Sequence, residues 1–150
     1  MNTPEQINTL KNAPANRRVI LSLLMCANQL NDEVAEVLKP FGLSIPQLNV
    51  LRILRGQKGK PANLSTIQDR MVSKMSNTTR LVDKLITKGL ADRITCEKNR
   101  RKVEITITEK GLELLSTLDP VIIESEKETT SNLSSDEIET LTTLLEKLRK

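Results

Sequence analysis

The 150-residue chain has no histidine, no tryptophan, no tyrosine and a single phenylalanine, Phe41. Each absence excludes something. Without histidine, and with only Cys26 and Cys96 as thiols, there is no Cys/His zinc site and no disulfide scaffold. Without aromatic platforms, single-stranded nucleic acid cannot be held by base stacking, and the core must be aliphatic. No apolar run approaches membrane-spanning length, and no charged n-region with an apolar h-region opens the chain. No P-loop and no dinucleotide-binding glycine pattern occurs, and the acids lie scattered without a convergent pair. These features predict a non-enzymatic protein with no cofactor and no membrane partner. They place it in the cytoplasm.

What is present is unevenly spread. Net charge is +4, but Arg52 to Lys110 holds 15 Lys/Arg against 6 Asp/Glu, while the remainder holds 8 against 13. A basic centre between acidic ends points to one polyanion-binding face. The alternative, a lopsided solvated surface, is open on charge alone.

The basic centre coincides with the stretch Ser73 to Thr108. Four helices precede or enter it. A three-and-four repeat of Ile20, Leu23, Leu24, Ala27, Leu30, Val34, Val37 and Leu38 marks a helix over 15–39, ended by Pro40 and Gly42. Residues 1–13 are either a frayed arm or a short helix. Ser44 and Gln47 form a capping box, with Leu43 and Leu48 as its staple, for a helix stopping near Gly56. QKGKPAN is a loop that can include a short strand. Asn63 caps a third helix, about 64–71, and a turn at Val72 and Ser73 leads to a fourth, about 75–88, stopped by Gly89. Thr78, Leu81, Val82 and Leu85 share the apolar face of the fourth helix.

Leu90–Cys96 and Arg101–Thr108 read as a hairpin, because Val103, Ile105 and Ile107 alternate with polar residues. Thr108 caps a fifth helix that Pro120 should kink or interrupt. Ser134 and Glu137 box the last helix, striped by Ile138, Leu141, Leu145 and Leu148. The expected fold class is mostly α with a small β-hairpin wing (α+β): a winged helix-turn-helix lobe over 43–110, with helical layers over 14–39 and 111–150.

Helices three and four then form a helix-turn-helix that lays the fourth helix across a DNA major groove. Asn77 can pair with adenine, and Arg80 can take guanine bidentately or hold a phosphate. Ser76 and Thr79 are short enough to reach phosphate or a thymine methyl, while Lys74 and Lys84 supply charge toward the backbone. Lys98, Arg100 and Arg101 stand at the hairpin turn, where an arginine suits a narrow minor groove. Taken singly, each feature has a bland counterpart, a solvated basic helix face or a charged hairpin tip; together they favour double-stranded DNA. The terminal helices carry more apolar surface than a small lobe can cover, which favours a homodimer over a folded-back monomer.

Three segments carry a more specific resemblance: LSIPQLNVLRIL at 43–54, RMVSKMSNTTRLVDKLITKGL at 70–90 and NRRKVEITITEKG at 99–111. They resemble the MarR-type (multiple-antibiotic-resistance regulator) winged-helix transcription factors. The resemblance implies that residues 1–150 are one MarR-like domain. It implies a homodimer built from the first and last helices, two lobes on a palindromic site, Arg101 as the wing-tip arginine, and repression released by a small-molecule effector. It places the protein at the nucleoid. Many relatives carry an acid where Asn99 stands. Some sense oxidants through a first-helix cysteine, the role open to Cys26; the alternative is a small buried hydrophobe. The function expected is a sequence-specific, dimeric transcriptional regulator. The rival is a winged-helix protein-interaction or structural module that does not read DNA.

Overall fold

The computed structural model describes residues 3–96 and 99–149; in the wing, the side chains of Cys96, Asn99, Arg100 and Arg101 also fall outside the description. The chain divides into two compact units, Met1–Ile45 and Pro46–Lys150.

The first unit is helical. α1 (Pro4–Asn12) carries a full capping box, Thr3 with Gln6, so the short-helix alternative is the one adopted. α2 (Ala15–Leu38) follows and passes into one 3-10 turn over Lys39–Phe41, closed by Gly42 at φ 65°. Leu38 is the only buried residue of α2. Val19, Ile20, Leu24 and Leu30 of its apolar face are exposed. Cys26 is exposed on the same helix.

The second unit holds the expected lobe. Its order is α3 (Ile45–Gly56), β1 (Ala62–Asn63), α4 (Leu64–Arg70), α5 (Thr78–Thr87), β2 (Ala91–Cys96), β3 (Asn99–Ile107), α6 (Glu109–Thr129) and α7 (Ser135–Leu148). The sheet is antiparallel in the order β1-β3-β2, with Ala62 opposite Ile105 and Arg93 opposite the same residue from the other side. β1 is the short strand that the loop composition allowed. Its Asn63 also caps α4, accepting the Thr66 N–H at 2.7 Å.

The core is aliphatic, as the lack of aromatics requires. Val50, Leu51 and Leu54 of α3, Ile67 of α4, Val82 and Leu85 of α5, Ile105 of β3, and Leu115 and Leu118 of α6 are all but fully buried. Burial of each such side chain contributes about 1.5–3 kcal/mol. A forked ion pair joins α3 to α6: Arg55 Nη1 and Nη2 donate to Asp119 at 2.6 and 3.3 Å.

α6 continues through Pro120 for 21 residues, so the proline does not interrupt it. Proline removes one N–H from the ladder, but Leu115, Leu118 and Ile122 are buried on both sides of it, so packing carries the helix across. α7 begins with the expected box: Ser134 N–H donates to Glu137 Oε1 at 3.0 Å, and Glu137 N–H to Ser134 Oγ at 3.2 Å. Hydrogen bonding to the Ser134 backbone N–H first, and to its hydroxyl second, holds the Glu137 carboxyl below its ordinary pKa. Every described residue of α7 is exposed, including Ile138, Leu141, Leu144, Leu145 and Leu148.

Candidate nucleic-acid interface

α5 is amphipathic in the sense the sequence implied. Thr78, Val82 and Leu85 are buried at spacings of four and three, and Leu81 is half-buried beside them. Thr79, Arg80, Asp83, Lys84 and Thr87 are exposed on the opposite side. No acid lies in the first turn, so the partial positive charge of the helix N-terminus is not offset there.

The helix starts later than expected. Its first residue is Thr78, not a residue near 75, and its 10 residues make it about 15 Å long. Asn77 is the N-cap: its backbone is extended and its Oδ1 accepts the Arg80 N–H at 3.1 Å. Asn77 thus holds up the helix it was expected to read from, with one acceptor lone pair already used. Ser76 stands before the cap and is half-buried.

The turn between α4 and α5 is pinned by side chains that sequence reasoning passed over. Gln68 Nε2 donates to the Lys74 carbonyl at 3.0 Å, while the Thr78 hydroxyl donates to Gln68 Oε1. The Val72 N–H donates to Asn49 Oδ1 of α3 at 2.8 Å. Asn49 had a visible signal, a polar residue between Leu48 and Val50 in an apolar run. Gln68 had none, because a glutamine on a short helix is ordinarily solvated. Lys74, expected to reach phosphate, turns its ammonium back onto the Asp69 and Gln68 carbonyls. Both carbonyls lie in the last turn of α4, where a cation is favourable, and that of Gln68 also accepts the Met71 N–H at 3.3 Å.

The wing is reached through Gly89, at φ 74°, a left-handed stop that favours glycine. Arg93 of β2 donates to Asp83 of α5 at 2.5 Å, tying the wing strand to the exposed side of that helix. Both side chains are about half-exposed, so the pair contributes little stability, about 0–1 kcal/mol, and acts on orientation. The hairpin ladder extends further than expected. Asn99 pairs with Cys96 across a register irregularity after Thr95, so Arg100 has strand backbone rather than turn backbone, and Arg101, expected to begin the strand, is its third residue. Lys98 lies outside the described residues, as do the side chains of Arg100, Arg101 and Cys96. The structure therefore gathers Thr79, Arg80 and Lys84 on one exposed helix face, and sets Ser76, Asn77 and Lys74 in the approach to it.

Among the described residues, no group of His, Cys, Asp and Glu could hold a metal ion, and no helix is long and apolar enough to cross a membrane.

A helix-turn-helix followed by an antiparallel hairpin, with a short strand completing the sheet, defines a winged helix-turn-helix. The MarR family model matches residues 43–103. A MarR transcription factor from Planctomyces limnophilus is 30% identical over 89% of this chain and 97% of its own, with a TM-score of 0.71. The chain belongs to the MarR family of transcription regulators. Two further solved structures share its fold. A mutant MarR from E. coli complexed with operator DNA is 24% identical, covers 91% of this chain and 99% of its own, and has a TM-score of 0.75. An organohalide-sensing transcriptional regulator in its 2,4-dichlorophenol-bound form is 17% identical, covers 93% and 82%, and reaches 0.84.

Proposed function

We propose that this protein is a homodimeric repressor that recognises a palindromic promoter site and releases it when a small-molecule effector binds. The observation that carries the reading is the face of α5. Thr79, Arg80 and Lys84 project from a helix whose other side is fixed in the core by Thr78, Val82 and Leu85. Arg80 is the base-reading residue, and Thr79 and Lys84 hold phosphates. Arg101, on the wing strand, takes the minor groove.

The homodimer is supported by apolar side chains that the single chain leaves uncovered. Val19, Ile20 and Leu24 of α2, and Leu141, Leu144 and Leu148 of α7, are each between 44% and 58% exposed. A second copy covers such faces by two-fold symmetry, and a two-fold dimer presents two recognition helices. An effector acts by binding one spacing of the two lobes better than the other, which shifts the population away from the DNA-competent state. The operator DNA and the chlorophenol bound by the two fold relatives above support a DNA-binding, effector-responsive reading of this one.

Arg80→Ala is the cleanest test of the interface, because alanine at Asn77 would remove a helix cap as well as a contact. Arg80→Ala is expected to cost about 1–3 kcal/mol in affinity for the selected duplex and to relax preference at one base pair per half-site. Competition binding against duplexes varied at single positions measures both. Unchanged preference at every position would demote Arg80 to a phosphate contact.

A further inference from the structure

Val72 and Met75 are 90% and 95% exposed, well above any other large apolar side chain among the described residues. The others stand on helices or on β2. These two stand in the turn between α4 and α5, and Met75 is two residues before the Asn77 cap. Their exposure is held rather than loose. The Val72 N–H is bound to Asn49, the Lys74 carbonyl to Gln68, the Lys74 ammonium to the end of α4, and the Thr78 hydroxyl to Gln68. These bonds tie the turn to α3 and α4, and the two apolar side chains are left outside.

We propose that Val72 and Met75 are specificity-determining residues that read thymine methyl groups in the major groove. The proposal rests on the reading of α5 as the DNA-facing helix. The apolar feature of the major groove edge is the C5 methyl of thymine, and an apolar side chain against it separates A·T from G·C pairs without a hydrogen bond. Met75 lies two residues before the Asn77 cap, at the end of α5 that leads into the groove in a helix-turn-helix, and Val72 opens the same turn just after α4. Methionine suits the role because its unbranched thioether adapts to a small apolar target. Valine, on a backbone pinned by Asn49, supplies a fixed surface. The mechanism also gives a reason for Lys74 to turn away: its ammonium on the α4 carbonyls leaves the outer surface of the turn apolar.

The test uses the full-length protein and a duplex selected by it from random sequence. Each thymine is replaced in turn by deoxyuridine, which keeps every hydrogen-bonding group and removes only the methyl. Binding is followed by fluorescence anisotropy for the wild-type protein, Met75→Ala and Val72→Ala. Wild type is expected to lose about four-fold, the worth of one buried methyl, at one or two positions in each half-site. Each variant is expected to bind the thymine duplex about four-fold more weakly and to ignore the deoxyuridine change at its own position. Both side chains are almost wholly exposed, so the variants keep the fold, and unchanged thermal midpoints check this. Variants that keep the full deoxyuridine response, or a wild type indifferent to every replacement, would overturn the proposal while leaving selective DNA binding standing. Failure to enrich any sequence would overturn both readings.

Discussion

Raising the salt from about 50 to about 200 mM is expected to weaken binding to duplex DNA by about a thousand-fold. The magnitude follows from the charge map. Arg52 to Lys110 carries 15 basic against 6 acidic residues, so the excess lies in the lobe that bears α5 and the wing. On the proposed reading, Lys84 and two more cations from the basic excess of each lobe lie near phosphates, beside the base-reading Arg80, so that a dimer neutralises about six phosphates. Each neutralised phosphate releases condensed counterions and adds about −0.9 to the slope of log affinity against log salt, giving a slope near about −5. The rival account, a winged helix that docks another protein, relies on apolar and rim contacts and gives a shallow slope. A series of equilibrium titrations at four or five salt concentrations separates the two. A slope close to zero would remove phosphate contacts from the account.

Replacing Gly111 by alanine is expected to destabilise the lobe by about 1–3 kcal/mol, although alanine is the better helix former. Gly111 is in the first turn of α6 and is buried. A Cβ there would lie 2.4 Å from the Leu90 carbonyl oxygen and 2.7 Å from Ile107 Cγ1. The isoleucine can yield, but the carbonyl cannot, because it accepts the Thr108 N–H at 3.1 Å. The same junction is fastened by Thr108 Oγ1 donating to the Gly89 carbonyl at 2.7 Å and by Lys110 Nζ donating to the Lys88 carbonyl at 3.0 Å. Backbone overlap of this depth outweighs the gain in helix propensity, about 0.5–1 kcal/mol. For a lobe of this size the thermal midpoint should fall by about 4–8 °C per kcal/mol. Gly56→Ala is the matched control, since a Cβ there meets nothing within 4 Å. A Gly111→Ala midpoint equal to that of Gly56→Ala would mean that the strand–helix junction moves freely. DNA binding should fall along with stability, because the junction anchors the end of α5 to the start of α6.

The contrast between these residues shows where the sequence was informative. Features decided by neighbours in the chain were legible. Asn63, Thr108 and Ser134 cap the helices they were expected to cap, and Gly89 is a left-handed stop. The alternation of Val103, Ile105 and Ile107 marks β3, with Ile105 at its buried centre. Features decided across the fold were not. Ser76 and Asn77 are both competent caps, and the bond from Thr78 to Gln68 favours the later start of α5. Lys74 is long enough to serve either a phosphate or the end of α4, and only the turn geometry selects the second. Gly111 carried a weak signal, a glycine inside a helical pattern, but the Leu90 carbonyl that explains it is 21 residues earlier in the chain.

The recognition surface was legible in the same partial way. Thr79, Arg80 and Lys84 were expected as contacts, and all three side chains are exposed on α5. Asp83 was not expected to be tied to Arg93, a link between α5 and β2 that depends on how helix and strand meet. Val72 was expected only as part of the turn, and Met75 only as the start of a helix, so neither was singled out as a contact. Only their exposure, on a turn pinned by Asn49 and Gln68, gives them a different meaning.

The most direct measurement is selection of duplexes bound by the purified protein from a random pool, followed by sequencing. The account predicts enrichment of an inverted repeat whose half-site centres are separated by one helical turn, roughly 34–36 Å. Enrichment of no sequence, or of a lone asymmetric site bound by one chain, would contradict it.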